Sequence, residues 1–305
     1  MAVTAGVRLL GAGDIRAIAG RLGVRPTKKL GQNFVVEPGT VRQIAAQAGP
    51  FSAGDVILEV GPGLGSLTLA LIEASGPAGA RVVAVEIDPV LAAELPKTIA
   101  DRAPGQAGRI EVVTADALRI GPSDIPSPTV VAANLPYNVA VPVVLHLLAT
   151  FPSIERGIVM VQAEVADRMC AGPGGRVYGA PSAKLAWYAA ARPAGTVPRG
   201  VFWPVPNVDS KLVSFSRHDP LGPQAGADRE ATFAVIDAAF GQRRKTLRAA
   251  LATWAGSPAQ AEEVLRAAGV SPGERGESLA IGEFAKIADA RGTGFPGTAG
   301  RLPKS

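Results

Sequence analysis

Val130-Val131-Ala132-Ala133-Asn134-Leu135-Pro136-Tyr137 is the stretch from which the rest of the chain is read. Four small or β-branched apolar residues in succession predict a strand buried on both faces, and Pro136, with no N–H to give to a ladder, predicts its end. The chain therefore turns at Asn134. A carboxamide, main-chain carbonyls and a phenol ring come together at the carboxyl end of a strand, where open α/β sheets hold their ligands. That trio suits an exocyclic aromatic amine. The Asn134 side-chain oxygen and the Leu135 or Pro136 carbonyl each accept one N–H, and Tyr137 stacks on the ring. With both hydrogens held, the nitrogen lone pair points outward.

Upstream, residues 55–60 predict a buried strand that runs straight into Gly61-Pro62-Gly63-Leu64-Gly65 and a helix over 66–74. Glycines there let main chain approach a ligand with no Cβ in the way. The spacing is G-x-G-x-G rather than the dinucleotide G-x-G-x-x-G, and Glu59 precedes it, a pattern closer to an adenosylmethionine loop than to a NAD loop. Residues 81–86 predict a second strand ending in Glu86, whose carboxylate can accept both hydroxyls of an adenosyl ribose. Residues 110–117 predict a third, with Asp116 at its end to accept from the adenine amino group. Any one such acid is an ordinary cap or turn residue. A series of parallel strands with polar ends on one edge describes a cofactor site.

Further out, 157–162 predict a fifth strand leading to a helix over 163–169, then a mobile loop over 172–179 and strands over 187–191 and 211–215. Between the last two, Phe202-Trp203-Pro204-Val205-Pro206 is stiffened by its prolines, and either aromatic can face the base site. Near the start, a helix over 15–22 is entered through Gly11-Ala12-Gly13, and a helix over 40–48 follows the loop around residues 29–35. After His218 and a Pro/Gly linker the period becomes helical, with helices near 230–240, 243–254, 258–268 and 281–290. Arg243-Arg244-Lys245-x-x-Arg248 falls at the start of the second of these. Cations there oppose the helix dipole, and an external anion would offset that cost.

At 305 residues and 47% hydrophobic, the chain can bury one large core and a smaller second one. One cysteine, Cys170, excludes an internal disulfide, and two histidines, His146 and His218, leave no zinc or iron cluster. The most apolar window, 129–148, is broken by Asn134, Pro136, Asn138 and Pro142, so a membrane span is not expected, and a cytoplasmic protein is. The net charge of +5 equals the excess of Arg8, Arg16, Arg21, Arg25, Lys28 and Lys29 over Asp14 in residues 1–31. A basic arm beside a neutral body implies a polyanionic partner.

Leu30-Gly31-Gln32-Asn33-Phe34, Glu59-Val60-Gly61-Pro62-Gly63-Leu64-Gly65, Asn134-Leu135-Pro136-Tyr137, Val161-Gln162-x-Glu164-Val165-Ala166, Val208-Asp209-Ser210 and Phe240-x-x-Arg243-Arg244-Lys245-Thr246-Leu247-Arg248 follow one another in order. Taken together they resemble the KsgA (RsmA) family of small-subunit ribosomal RNA adenine N6,N6-dimethyltransferases. The resemblance implies a Rossmann-like class I adenosylmethionine methyltransferase sheet, an α/β fold, with a small all-helical C-terminal domain. It implies a basic arm over 1–30, a catalytic domain over 31–218, a helical RNA-binding domain over 227–291 and a disordered tail over 292–305. Cofactor contacts carry onto Asn33, Val35, Gly61, Glu86, Asp116 and Asn134. The target-adenine site carries onto Asn134, Leu135, Pro136 and Tyr137, with Phe202 stacking, and RNA contacts onto Lys28, Lys29, Arg243, Arg244, Lys245 and Arg248. The implied cofactor is S-adenosyl-L-methionine, with S-adenosyl-L-homocysteine as product and no metal; the implied partner is 16S rRNA in a small-subunit precursor, met by a monomer. The departures are Val35 for the usual leucine, Thr114-Ala115 where a glycine commonly precedes the aspartate, and Ala180-Pro181 after Tyr178-Gly179. A resistance-type 23S rRNA methyltransferase and a mainly non-catalytic assembly checkpoint are the alternatives, the first disfavoured by Asn-Leu-Pro-Tyr with the complete Arg-Arg-Lys-Thr-Leu-Arg segment. A dehydrogenase is disfavoured by the glycine spacing.

Overall fold

A computed structural model describes residues 6–24, 33–136, 139–218 and 226–294. Strands form where β-branched runs are bounded by glycine or acid: β1 Phe34–Val35, β2 Val56–Val60, β3 Arg81–Glu86, β4 Ile110–Thr114, β5 Val130–Asn134 and β6 Arg156–Gln162, then β7 Ala189–Val197, β8 Phe202–Trp203 and β9 Ser210–Arg217. Seven of them make one sheet in the order β4-β3-β2-β5-β6-β9-β7. β2, β3, β4, β5 and β6 run parallel, and β9 runs antiparallel to β6. β3 and β5 are buried almost end to end, as strands covered on both faces must be. β4, at the edge, is only half-buried.

Helices α2 Pro38–Ala48, α3 Ser66–Ser75, α4 Pro89–Arg102, α5 Ala140–Thr150 and α6 Ala163–Cys170 connect and cover these strands. The chain runs from β2 outward to β3 and β4, then returns to place β5 on the other side of β2. Strand order therefore reverses between β2 and β5, and such a switch point leaves a crevice beyond the strand ends. The register fixes what faces it. Val60 pairs with Val85, Glu86 with Thr114 and Asn134 with Met160, so the acids of β2 and β3 and the amide of β5 end on one edge.

Helix α1, Ala12–Leu22, starts after Gly11, whose N–H is taken by Asp14 Oδ2 at 2.9 Å. It is not a free arm. Leu10, Ile15 and Ala19 are buried in the core that includes Ile57, Val82 and Leu95, and Asp14 meets Arg102 at 2.7 Å. Arg8 pairs with Asp101 at 3.2 Å and Arg21 with the buried Glu94. Two of the cations counted toward a polyanion partner are thus spent on α4.

Contacts divide the chain into two units, one of Met1–Asp167 with Ala190–Arg217, the other of Arg168–Ala189 with His218–Ser305. The second holds α7 Ala180–Tyr188, α8 Arg229–Gly241, α9 Leu247–Ala250, α10 Ala252–Ala255, α11 Pro258–Ala267 and α12 Ile281–Gly294. Its core gathers Val235, Ile236, Leu247, Leu251, Leu265 and Phe284, and Tyr178 donates its hydroxyl to Leu279 O at 2.8 Å. Three expectations are corrected here. Trp187 and Tyr188 end helix α7, because Ser182, Leu185 and Tyr188 are buried at helical spacing, and the strand begins only at Ala189. Residues 243–246 form a turn before α9, with Thr246 extended, rather than the first turn of a helix. Helix α12 continues through Gly294, so 292–294 are helical; the remainder of the expected tail lies outside the described residues. Among the described residues no helix is long and apolar enough to cross a membrane.

Candidate active site

The glycine turn after β2 is shaped by left-handed backbone. Gly61, Gly63 and Gly65 have φ of +69°, +58° and +96°. At Gly63 a Cβ would stand 2.9 Å from Phe34 Cε1, and at Gly65 2.8 Å from Leu95 Cδ1. Glycine is therefore demanded at both positions by the backbone and by the neighbouring side chains. The turn closes through Gly65 N–H to Pro62 O at 3.0 Å and is held to β3 by Gly61 N–H to Val85 O at 2.9 Å.

Over this turn lies a cavity of about 260 Å³, walled by residues from β1, β2, β3, the segment after β4 and the end of β5. Asn33, Val35, Gly61, Glu86, Asp116 and Asn134 all line it, as does Pro136. The six positions expected to hold a cofactor, scattered over a hundred residues, are therefore brought to one space. Glu86 is 5% exposed. Its Oε2 accepts from Gly63 N at 3.0 Å and its Oε1 from Asp88 N at 3.0 Å, leaving one lone pair on each oxygen for a vicinal diol. Burial raises its pKa, the main-chain N–H groups of Asp88, Gly63 and Ile87 work against that rise, and the charge of Asp88 adds to it. Asp116 accepts from Leu118 N at 2.9 Å, the local turn its position predicts, and its other oxygen is 3.7 Å from Arg119 Nε.

Asn134 is oriented from outside its own strand. Its Nδ2 donates to Asn33 O at 3.0 Å, which turns Oδ1 away from that carbonyl and leaves it as an acceptor. Leu135 N–H returns to Met160 O at 3.1 Å, so the turn stays docked on β6, and the Leu135 side chain is buried. Pro136 O is taken by Val139 N–H at 3.2 Å. Of the two carbonyls considered, that of Leu135 is the one that no donor among the described residues meets. Tyr137, Lys28 and Lys29 lie outside the described residues.

Phe202 lies beside the cofactor cavity without lining it. It is 2% exposed and belongs to the hydrophobic core. Successive residues of a strand point to opposite faces. With β8 paired to β1, Phe202 sits opposite the buried Val35, while Trp203 sits opposite Phe34 and stacks on it at 6.3 Å with a 22° interplanar angle. Phe34 itself lines the cavity. Ile87 and Leu118 line it too, and their signal in the sequence is an apolar residue one or two places after each strand-end acid.

In the second unit the expected basic cluster separates. Arg243 meets Glu277 at 3.0 Å and Arg176 O at 2.6 Å, and Arg248 meets Glu262 at 2.8 Å. Arg244 and Lys245 are exposed and form no ion pair among the described residues.

The residues present fit an adenosylmethionine. Glu59 Oε2, buried in the cavity wall, has no hydrogen-bond partner, and the glycine turn keeps open a cradle that side chains would fill. The chain matches the family model described as ribosomal RNA adenine dimethylase over residues 24–291. It is 62% identical to the ribosomal RNA small subunit methyltransferase A of Thermobifida fusca over 288 residues, 94% of this chain and 98% of that one. The protein of the same name from Kineococcus radiotolerans is also 62% identical, over 93% of this chain and 92% of its own. Among solved structures, a dimethyladenosine transferase from Plasmodium falciparum superposes with a TM-score of 0.69 at 23% identity, covering 84% of this chain and 97% of that one. The 23S rRNA methyltransferase ErmE superposes with a TM-score of 0.59 at 26% identity, covering 86% of this chain and all of that one. The family model spans most of the chain and these relatives are matched along nearly their whole length, so the chain belongs to the ribosomal RNA adenine dimethylase family.

Proposed function

We propose that this chain is an S-adenosylmethionine-dependent enzyme that converts two adjacent adenosines, in a hairpin loop near the 3′ end of 16S rRNA, to N6,N6-dimethyladenosine. It acts on a precursor of the small ribosomal subunit, as a monomer, in the cytoplasm and without a metal. The observation that carries the reading is Asn134, which lines the cofactor cavity and has its Nδ2 held by Asn33 O, leaving its oxygen as the free acceptor. Identity of 62% to small-subunit enzymes, against 26% to a large-subunit one, favours 16S over 23S rRNA.

When bound, the cofactor supplies an electrophilic methyl group. Asp116 would accept from its adenine and Glu86 from its ribose. Asn134 Oδ1 and the Leu135 carbonyl hold the two N6 hydrogens of the target base. Their hold tightens as the nitrogen gains positive charge, so they stabilise the transition state more than the ground state. The rest is positioning in line with the methyl group. An aryl-ammonium product loses its proton to water readily, so no strong base is required. The target amine lies on a base edge, and the nucleotide must leave its stack to reach the site, which favours a loop over a duplex.

The test is methylation of small subunits isolated from cells lacking the endogenous enzyme. The purified chain with labelled S-adenosylmethionine should yield N6,N6-dimethyladenosine at two neighbouring positions of 16S rRNA. Label appearing only in 23S rRNA, or none at all, refutes the proposal.

A further inference from the structure

The cavity wall contains an acid with no counter-ion among the described residues. Glu59, near the end of β2, is 1% exposed, and its Oε2 is unpartnered. On β3 stands Glu86, a second buried carboxyl; Asp88 follows it, and Asp116 lies beyond β4. α3 brings the Thr68 hydroxyl, which forms no hydrogen bond of normal length, and Ser66, and β5 brings Asn134, whose N–H is given to Asn33. Among the described residues no Lys, Arg or His lines the cavity. Loss of hydration pushes the Glu59 carboxyl up to about 8, Thr68 acting against the rise and the charge of Glu86 adding to it.

Resting on the function proposed above, we propose that Glu59 is the neutral acid in the free chain and releases its proton when the cationic end of the cofactor enters, so that one proton leaves per cofactor bound. The sheet order supports where that cation falls. With adenine at Asp116 beyond β4 and ribose at Glu86 on β3, the amino-acid and sulfonium part lies over β2, next in the sheet. There a carboxylate gains the partner that the free chain lacks. The O–H bond of Glu59 breaks, its electron pair stays on the carboxylate, and the proton goes to solvent. The free chain thus avoids two adjacent buried charges, and the site distinguishes a cationic cofactor from a neutral nucleoside of similar shape. The sign follows. Binding favours the ionised form, so cofactor affinity rises with pH by up to tenfold per unit below about 8 and levels off above it.

Calorimetry of the full chain at pH 7, in two buffers of different ionisation enthalpy, reads the proton count directly. Wild type should release about one more proton per S-adenosylmethionine than Glu59→Gln, a difference that cancels any titration of the ligand's own amine. It should release none with 5′-methylthioadenosine, which lacks the cationic end. Affinity of Glu59→Gln should also lose most of its dependence on pH between 6 and 8. Equal proton counts in wild type and variant overturn the inference. If the variant fails to fold or to bind, infrared difference spectra of wild type decide: a protonated-carboxyl band lost on adding S-adenosylmethionine, and kept with 5′-methylthioadenosine, supports it, and persistence of that band with both ligands overturns it. Cofactor binding by wild type without proton release sinks this inference alone; no binding at all sinks the proposed function with it.

Discussion

Replacing Asn134 by alanine separates chemistry from binding. The substitution removes the Oδ1 acceptor assigned to the target amine and the Nδ2 donor that meets Asn33 O at 3.0 Å. The second loss is structural and small, about 0.5–1.5 kcal/mol for one ordinary hydrogen bond at a half-buried site. The first grows along the reaction, because the nitrogen becomes positive. A preorganised group facing developing charge is worth about 2.7–4 kcal/mol. Asn134 is half-buried, so water can partly replace its oxygen. The lower part of that range therefore applies, and about 3 kcal/mol is a fall of roughly 150-fold in turnover. Binding of RNA rests on phosphate contacts elsewhere and should be spared. The assay is single-turnover methylation of small subunits with saturating S-adenosylmethionine, which cancels any loss of cofactor affinity. Asn134→Asp is the companion variant: it keeps an acceptor but sets a carboxylate against the Asn33 carbonyl, so it should also be slow. An alanine variant within threefold of the parent rate would refute the assignment of this turn as the catalytic centre.

Glu86→Gln keeps one of the two oxygens and should weaken S-adenosylmethionine binding by about 1–3 kcal/mol in calorimetry; unchanged affinity removes Glu86 from the site. Gly65→Ala forces a Cβ into left-handed backbone 2.8 Å from Leu95 Cδ1 and should cost about 2–4 kcal/mol in urea unfolding, with a loss under about 0.5 kcal/mol counting against the geometry of the turn. Neutralising Arg244 and Lys245 together should lower the slope of log affinity for RNA against log salt by roughly 1.4–1.8, whereas Arg243 and Arg248, already held by Glu277 and Glu262, should change it less; equal effects would mean that the internal pairs open on binding. For Glu59 the folded value of about 8 lies above the unfolded 4.5. Its stabilisation of the free chain is complete below the lower value and is lost as pH rises through the higher one, so thermal melts of wild type should fall more steeply than those of Glu59→Gln between pH 5 and 8.

The site was legible because strand ends and glycines are local signals. A run such as Val130-Val131-Ala132-Ala133 can only be covered on both faces, and a proline two residues after it stops it, so Asn134 had to lie at a carboxyl edge. The same reading put Glu86 and Asp116 on that edge before the register was known. What it could not reach was which of two adjacent residues faces inward. Phe202 and Trp203 are equally aromatic and equally close to the prolines. Pairing of the two-residue β8 with β1 buries Phe202 against Val35 and sets Trp203 on Phe34, and that pairing joins residues far apart in the chain. Likewise Trp187-Tyr188 has the composition of a strand, and only burial of Ser182, Leu185 and Tyr188 on one face makes it a helix.

Charge was the least legible quantity, for a physical reason. A sequence counts cations, but a polyanion responds only to cations whose fields are not already answered. Arg8, Arg21, Arg243 and Arg248 each have an acid at close range, and every one of those acids lies at least fourteen residues away in the chain. Partners at such separations carry no local pattern, so the excess of residues 1–31 overstates what is open to RNA there. The converse holds for Glu59. Its sequence neighbours are Leu58 and Val60, which say only that it is buried; that no cation among the described residues lines the cavity around it becomes visible when five separate segments are brought together. An acid left without a cation inside a family that binds a cationic cofactor is a complementarity between protein and ligand, and it assigns to the ligand the charge that elsewhere in this chain arginine provides.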